Sequence, residues 1–203
     1  MMEKPATTDL DIHPIIKKRW SPRSFKPSVP VEKDKLRRIF EAARWAPSSF
    51  NEQPWRFIVG MKGDSTWDKL FETLAEFNQK WAHLAPVLIL TLGKKTYAKT
   101  GKPNKVHQYD LGASAAYMTF QAYSEGLVMH QMGGFSKEKA IEVFAVPEDY
   151  EPVSTIAMGY QDRPERLIPE MEESERASRQ RQDIEKMVFS ETFGQSAENI
   201  LPR

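Results

Sequence analysis

Four small polar side chains, Ser48, Ser49, Asn51 and Gln53, lie within one short stretch bounded by Pro47 and Pro54. Hydroxyls and amides with no acid or base beside them make a poor nucleophile site. They make a good cradle for a planar, polar-edged ligand that is gripped and not attacked. The same residue types also satisfy their own backbone in a tight turn, and on this stretch alone the turn is the simpler reading. A second group is Arg19, Ser21 and Arg23. Pro22 disfavours helix at Ser21, so the segment is extended, and alternation then points these three the same way. Two guanidiniums flanking a hydroxyl match the oxygens of a phosphate, although in a chain with 29 Lys and Arg a solvated basic turn explains the group equally simply. A third is Gly133-Gly134 ahead of a helix start, where bare backbone N–H groups can face a ligand or merely form a turn.

Other chemistries are missing. The chain has no cysteine, which removes thiolate catalysis, disulfides and Cys-ligated metals and fits a reducing cytosol. Its four histidines, His13, His83, His107 and His130, are scattered without ligand spacing, so no metal site is expected. No GxxxxGK[ST], strand-borne GxGxxG, HExxH or GxSxG is present. With no catalytic residue in view, an enzyme built on this chain needs a cofactor to carry the hard chemistry.

The positioning elements follow from pattern. Leu36, Ile39, Phe40 and Ala43 mark an amphipathic helix that Pro47 stops. A short helix is expected over 12–19, capped by Asp9 or Asp11, and another after Ser65, paired with Asp68 in a capping box. Ser136 caps a helix carrying Ala140, Ile141 and Phe144, and further helical turns are expected near 172–181. Residues 108–125 are apolar or small on nearly every face, which reads as a central, buried helix ended by Gly126. Its Gly112, Ala113, Ala115 and Ala116 permit close approach by a second copy or by ordinary neighbours. Strands are expected at 55–59, 87–92, 127–131 and 153–159. Alternating with helices, they give a mixed α/β layered, α+β domain. Residues 96–106 form a polar, basic loop or lid.

At 203 residues the chain reads as one domain, with residues 1–8 a flexible arm and 162–203 a charged tail that wraps the domain, wraps a partner subunit or stays mobile. A net charge of +1 leaves no electrostatic footprint for nucleic acid or an anionic membrane. The absence of a long apolar run points to a soluble, cytoplasmic protein.

In order along the chain, IIKKRWSPRSF, AARWAPSSFNEQPWRF, NQKWAHLAPVLIL, DLGASAAYMTFQAYSEGL, MGGF and STIAMGY resemble the nitroreductase-type flavoproteins. Each motif is short; their ordered conjunction over most of the chain is specific. The resemblance implies a mostly antiparallel sheet flanked by helices, a homodimer with FMN at the subunit interface, and a C-terminal tail packed on the partner. It implies that Arg19 and Ser21 grip the FMN phosphate, with Trp20 in the same cofactor-binding stretch. Arg23 would lie toward the ribityl chain and the N1/O2 side of the ring. Pro47, Ser48, Ser49, Asn51 and Gln53 would cover the flavin from the other subunit, Asn78 would pair with its pyrimidine edge, and Gly133 and Gly134 would present backbone near N5. Arg181, or else Arg179, would add a phosphate contact. Trp20, Pro22 and Asp183 depart from the usual motif. The implied activity is ping-pong transfer from NAD(P)H to a nitroaromatic, quinone or related acceptor. Related alternatives are dehalogenation, flavin fragmentation, or flavin binding and sensing without turnover.

Overall fold

The computed structural model describes residues 2–201, so Met1 of the expected arm and the last two residues of the tail lie outside the described residues. Four antiparallel strands form one sheet in the order β1-β2-β4-β3: β1 (Trp55–Met61), β2 (Val87–Lys94), β3 (Val128–Met132) and β4 (Tyr150–Gly159). The expected strands are all present, and β4 begins earlier than the apolar run at 153 indicates. Its early part contains Pro152, opposite Leu92, where the β2–β4 register shifts. A proline cannot donate to the ladder, so the irregularity falls where a donor is missing.

Alternation along β2 sends side chains to two cores. Leu88, Leu90 and Leu92 pack with Trp67, Leu70 and Trp81 on one face. Val87 and Ile89 pack with Leu36, Ile39 and Met118 on the other. Both faces of β2 are therefore covered, and each fully buried Leu or Ile contributes about 1.5–3 kcal/mol. The first face carries α3 (Ser65–Thr73), α4 (Glu76–Ala82) and α6 (Lys137–Phe144), and the second carries α2 (Lys33–Arg44) and α5 (His107–Ser124).

Local caps correct two expectations. The first helix, α1, is Pro14–Lys18, and His13 Nδ1, not Asp9 or Asp11, accepts from the Ile15 N–H. α3 starts at Ser65 because Asp64 is the cap: its Oδ1 accepts the Trp67 N–H at 2.7 Å, which displaces the Ser65 box. Ser136 caps α6 as expected, accepting from Lys139 N–H.

The small-residue helix α5 is covered on one side only. Leu111, Ser114, Ala115, Met118 and Ala122 are buried, while Tyr109, Gly112, Tyr117 and Phe120 face outward. In the tail, the helical turns fall at α7 (Pro169–Arg176), earlier than 172–181, because Pro169 suits a first helical position. Leu167 and Met171 are buried, so this part of the tail lies on its own domain. At the other end, Ala6 N–H donates to Lys17 O, and Lys4 Nζ to Glu175 O, tying those residues of the expected arm to the body. No helix among the described residues is long and apolar enough to cross a membrane.

Candidate functional site

After α1 the backbone turns extended at Arg19 and runs without regular structure through Pro22 to a bend at Arg23. Trp20, Pro22 and Ser24 are buried, whereas Arg19, Ser21 and Arg23 are half-exposed. The period of two thus turns Arg19 and Ser21 to one side, where Arg19 Nη1 donates to Ser21 Oγ at 3.2 Å. Trp20 points inward with Lys4 Nζ lying 4.4 Å above its ring, so it supports the segment from behind.

Two tail arginines come close to Arg19. Burial lowers the Arg19 pKa, and the charges of Arg179 and Arg181 lower it further. Arg179 is committed to carbonyls, donating to Lys4 O at 2.7 Å and Lys17 O at 3.1 Å. Arg181 is exposed and bonds only the neighbouring Gln180 carbonyl. Among the described residues no carboxylate pairs with any of these three arginines. Like charges gathered without a paired counter-charge favour an anion, and guanidiniums suit a phosphate.

Arg23, expected to point with Arg19 and Ser21, sits at a bend and meets different neighbours, Glu175 first among them. It lines a cleft of about 370 Å³ together with Phe77 and Lys80 of α4 and Ile168, Met171 and Ser174 near and on α7. Asn78, also on α4, reaches the glycine turn: its Nδ2 donates to Gly134 O at 2.9 Å. That carbonyl also accepts the Ala75 N–H, so the turn is held by its oxygen. Gly133 and Gly134 are exposed, and the Gly134 N–H has no acceptor among the described residues. The free donor is the kind of group that can meet a ligand atom.

The Ser48–Gln53 stretch forms a separate structure. Phe50, Asn51 and Gln53 all take left-handed backbone, with φ of 51°, 55° and 51°, three of the five such non-glycine residues described. This is backbone strain held in place by neighbours. Ser48 Oγ accepts the Gln53 N–H at 3.0 Å, so this hydroxyl serves the turn of its own loop. Ser49 N–H donates to buried Asp110 Oδ2 at 3.1 Å, and its hydroxyl lies 3.2 Å from Tyr97 Oη. Gln53 Nε2 donates to Asn51 O; Pro47 and the Asn51 side chain are exposed. The strained turn projects the Phe50 ring into solvent, 91% exposed, edge-on to Tyr97.

Within one chain the expected residues therefore form two groups. Arg19, Ser21, Arg23, Asn78, Gly133, Gly134 and Arg181 belong to the side built by the 19–23 segment, α4 and the tail. Pro47, Ser48, Ser49, Asn51 and Gln53 belong to a loop bonded to α5 and the 96–103 turn. Sequence reasoning passed over Asp110 and Tyr97, which hold that loop, and Glu175, whose Oε1 accepts the Arg23 N–H at 2.7 Å. Asp110 sits in the first turn of a recognisable helix; the others carried no local signal. Among the described residues no three His, Asp or Glu side chains gather as a metal site.

Known proteins of similar sequence and fold give the family. A family model described as "Nitroreductase family" matches residues 16–160. A solved structure described as an oxidoreductase containing FMN superposes with a TM-score of 0.87 at 32% identity, covering 94% of this chain and 96% of that one. An FMN-dependent nitroreductase from Clostridium difficile R20291 is 30% identical with a TM-score of 0.61, covering 73% of this chain and 86% of that one. The major NAD(P)H-flavin oxidoreductase of Aliivibrio fischeri is 32% identical over 93 residues, 43% of this chain and 42% of that protein.

Proposed function

The chain belongs to the nitroreductase family, and from that membership we propose that it is an FMN-dependent oxidoreductase, reduced by NAD(P)H, acting as a homodimer. The observation that carries the reading is the cluster of Arg19, Arg179 and Arg181 beside Ser21, with no carboxylate paired to them among the described residues. A phosphate dianion supplies the missing negative charge, and its oxygens accept from the guanidiniums and the hydroxyl. Arg181 is the tail arginine free to make that contact, since Arg179 already serves two carbonyls. The flavin edge is matched by Asn78, by the unbonded N–H of Gly134, and by Arg23, whose buried Nε has no partner. Reduction puts negative charge on the N1–C2=O edge, which Arg23 is positioned to stabilise.

When bound, FMN supplies two-electron transfer from NAD(P)H to a nitroaromatic, quinone or similar acceptor, in turn over one ring face. The protein's own task is to hold the ring and to leave room above it for each partner. Loop 48–53, from the second subunit, covers the cofactor in this reading. Its strained, outward Phe50 and the exposed stripe of α5 support that arrangement, because both are apolar surface left over by a single chain.

The test is a comparison of FMN with riboflavin, which lacks the phosphate. Two charge-assisted contacts at about 1.5–3 kcal/mol each predict that Arg19→Ala with Arg181→Ala weakens FMN binding by about 100-fold or more. Riboflavin binding should be unchanged. Equal losses for both ligands would reject the phosphate clamp. Initial rates at several NADH or NADPH concentrations should give parallel double-reciprocal lines against the acceptor, and intersecting lines would reject the ping-pong order.

A further inference from the structure

Glu175 is 2% exposed, and it lies on the tail helix α7, far in sequence from the segment it touches. Its Oε1 accepts the Arg23 N–H at 2.7 Å and the Ser24 N–H at 3.3 Å. Its Oε2 stands 3.7 Å from Arg23 Nη1, an ion pair by distance but too long for a hydrogen bond. Both Glu175 Oε2 and Arg23 Nε are buried without a hydrogen-bond partner. A buried carboxylate facing a half-buried guanidinium that stops short of a full pair is unusual, since leaving a buried carboxylate half-satisfied is costly. The geometry holds Arg23 by its backbone while leaving its head group only loosely balanced. That head group also lines the cleft walled by Phe77, Lys80, Ile168 and Met171.

We propose that Glu175 is a positioning residue for Arg23: it fixes the arginine at the edge of the cleft and offsets part of its charge, and so sets how readily a bound flavin is reduced. The inference rests on the FMN reading above, with Arg23 at the N1–C2=O edge. The charged groups facing Glu175 are Arg23 and, through its contact with the Glu175 carbonyl, Lys4; Arg179 lies beyond Lys4. Burial raises the Glu175 pKa, while the Arg23 and Ser24 N–H groups and the charges of Arg23 and Lys4 work against that rise.

Removing the negative charge should leave Arg23 unbalanced beside the electron-accepting edge. Glu175→Gln, which keeps an oxygen for the two backbone donors, is expected to shift the reduction potential of bound FMN to a more positive value. In an Arg23→Gln background the same replacement should leave the potential where Arg23→Gln alone puts it, because Glu175 acts through that arginine. Should Glu175→Gln fail to fold, Glu175→Asp makes the same comparison. It keeps the charge but withdraws it by one methylene, and a smaller shift in the same direction is expected. Wild-type protein that takes up no FMN would overturn this proposal and the flavin reading together. Wild-type protein that binds FMN, with folded Glu175 variants of unchanged potential, would overturn the proposal alone. A shift that persists undiminished without Arg23 would also overturn it.

Discussion

Asn78 and Gly134 occupy each other's space: the amide Nδ2 donates to the glycine carbonyl at 2.9 Å, and a Cβ on Gly134 would stand 2.8 Å from that nitrogen. No side chain fits at residue 134 while Asn78 keeps this pose. The pair locks α4 to the turn that follows β3, and so fixes the amide proposed for the flavin edge. Gly134→Ala should push the Asn78 amide aside, because the far end of a side chain yields before the backbone does. The expected result is a several-fold weaker FMN affinity with a thermal midpoint close to wild type. A variant that binds FMN as well as the wild type would remove Asn78 from the site.

Gly112 presents the opposite situation. A Cβ there meets nothing within 4 Å in one chain, although the residue sits mid-helix on α5 among exposed Tyr109, Tyr117 and Phe120. In a monomer, Gly112→Leu should therefore be tolerated and gain about 0.8–1 kcal/mol of helix propensity. In the proposed dimer it would stand in the interface. Sedimentation should show wild type as a dimer and Gly112→Leu as a folded monomer with weakened FMN binding. An unchanged dimer would move the interface elsewhere.

His130 makes stability sensitive to acid. Its Nδ1 donates to Pro22 O at 3.1 Å, and its ring packs tilted on Trp81 at 4.6 Å. Burial lowers its pKa to about 4, aided by the nearby Arg23 charge and opposed by the bond to Pro22. Between an unfolded value of about 6.5 and the folded value, the unfolded chain binds more protons. Stability is therefore full above about pH 6.5 and falls as pH drops toward 4, by at most about 3 kcal/mol. Glu125 and Glu151, held near 2 first by Arg38 and Lys137 respectively, lose their contributions only at lower pH. Urea unfolding at pH 7 and pH 4.5 should show the decline, and His130→Gln should flatten it. An equal slope in the variant would assign the proton elsewhere.

Much of the architecture was legible because it is written in local pattern. The apolar run at β2, the periodic residues of α2 and the Ser136 cap each need only a few neighbours to be read. Pro22 gave the expectation that Arg19, Ser21 and Arg23 share a side; the Arg19–Ser21 bond matches it for two of them, whereas the chain bends at Arg23, which meets Glu175 and the cleft beside α4 instead. What could not be read depends on distant partners. Asp64 rather than Ser65 caps α3, a competition between adjacent residues that composition does not decide. Glu175 looks like one more charge on an acidic helix, and only the fold carries it 152 positions back to the Arg23 N–H. α5 read as buried all round because its residues are apolar or small, whereas one chain supplies cover for a single face. The strain at Phe50, Asn51 and Gln53 was invisible too, since none is a glycine that would advertise left-handed backbone.

The most direct test of the flavoenzyme reading is the visible absorption spectrum of the purified protein, loaded with FMN where needed, followed anaerobically through addition of NADH and then NADPH. The flavin bands should bleach rapidly with at least one nicotinamide and return when a quinone or nitroaromatic is added. A protein that stays colourless and takes up no added FMN, or bound flavin that neither nicotinamide reduces, would contradict it.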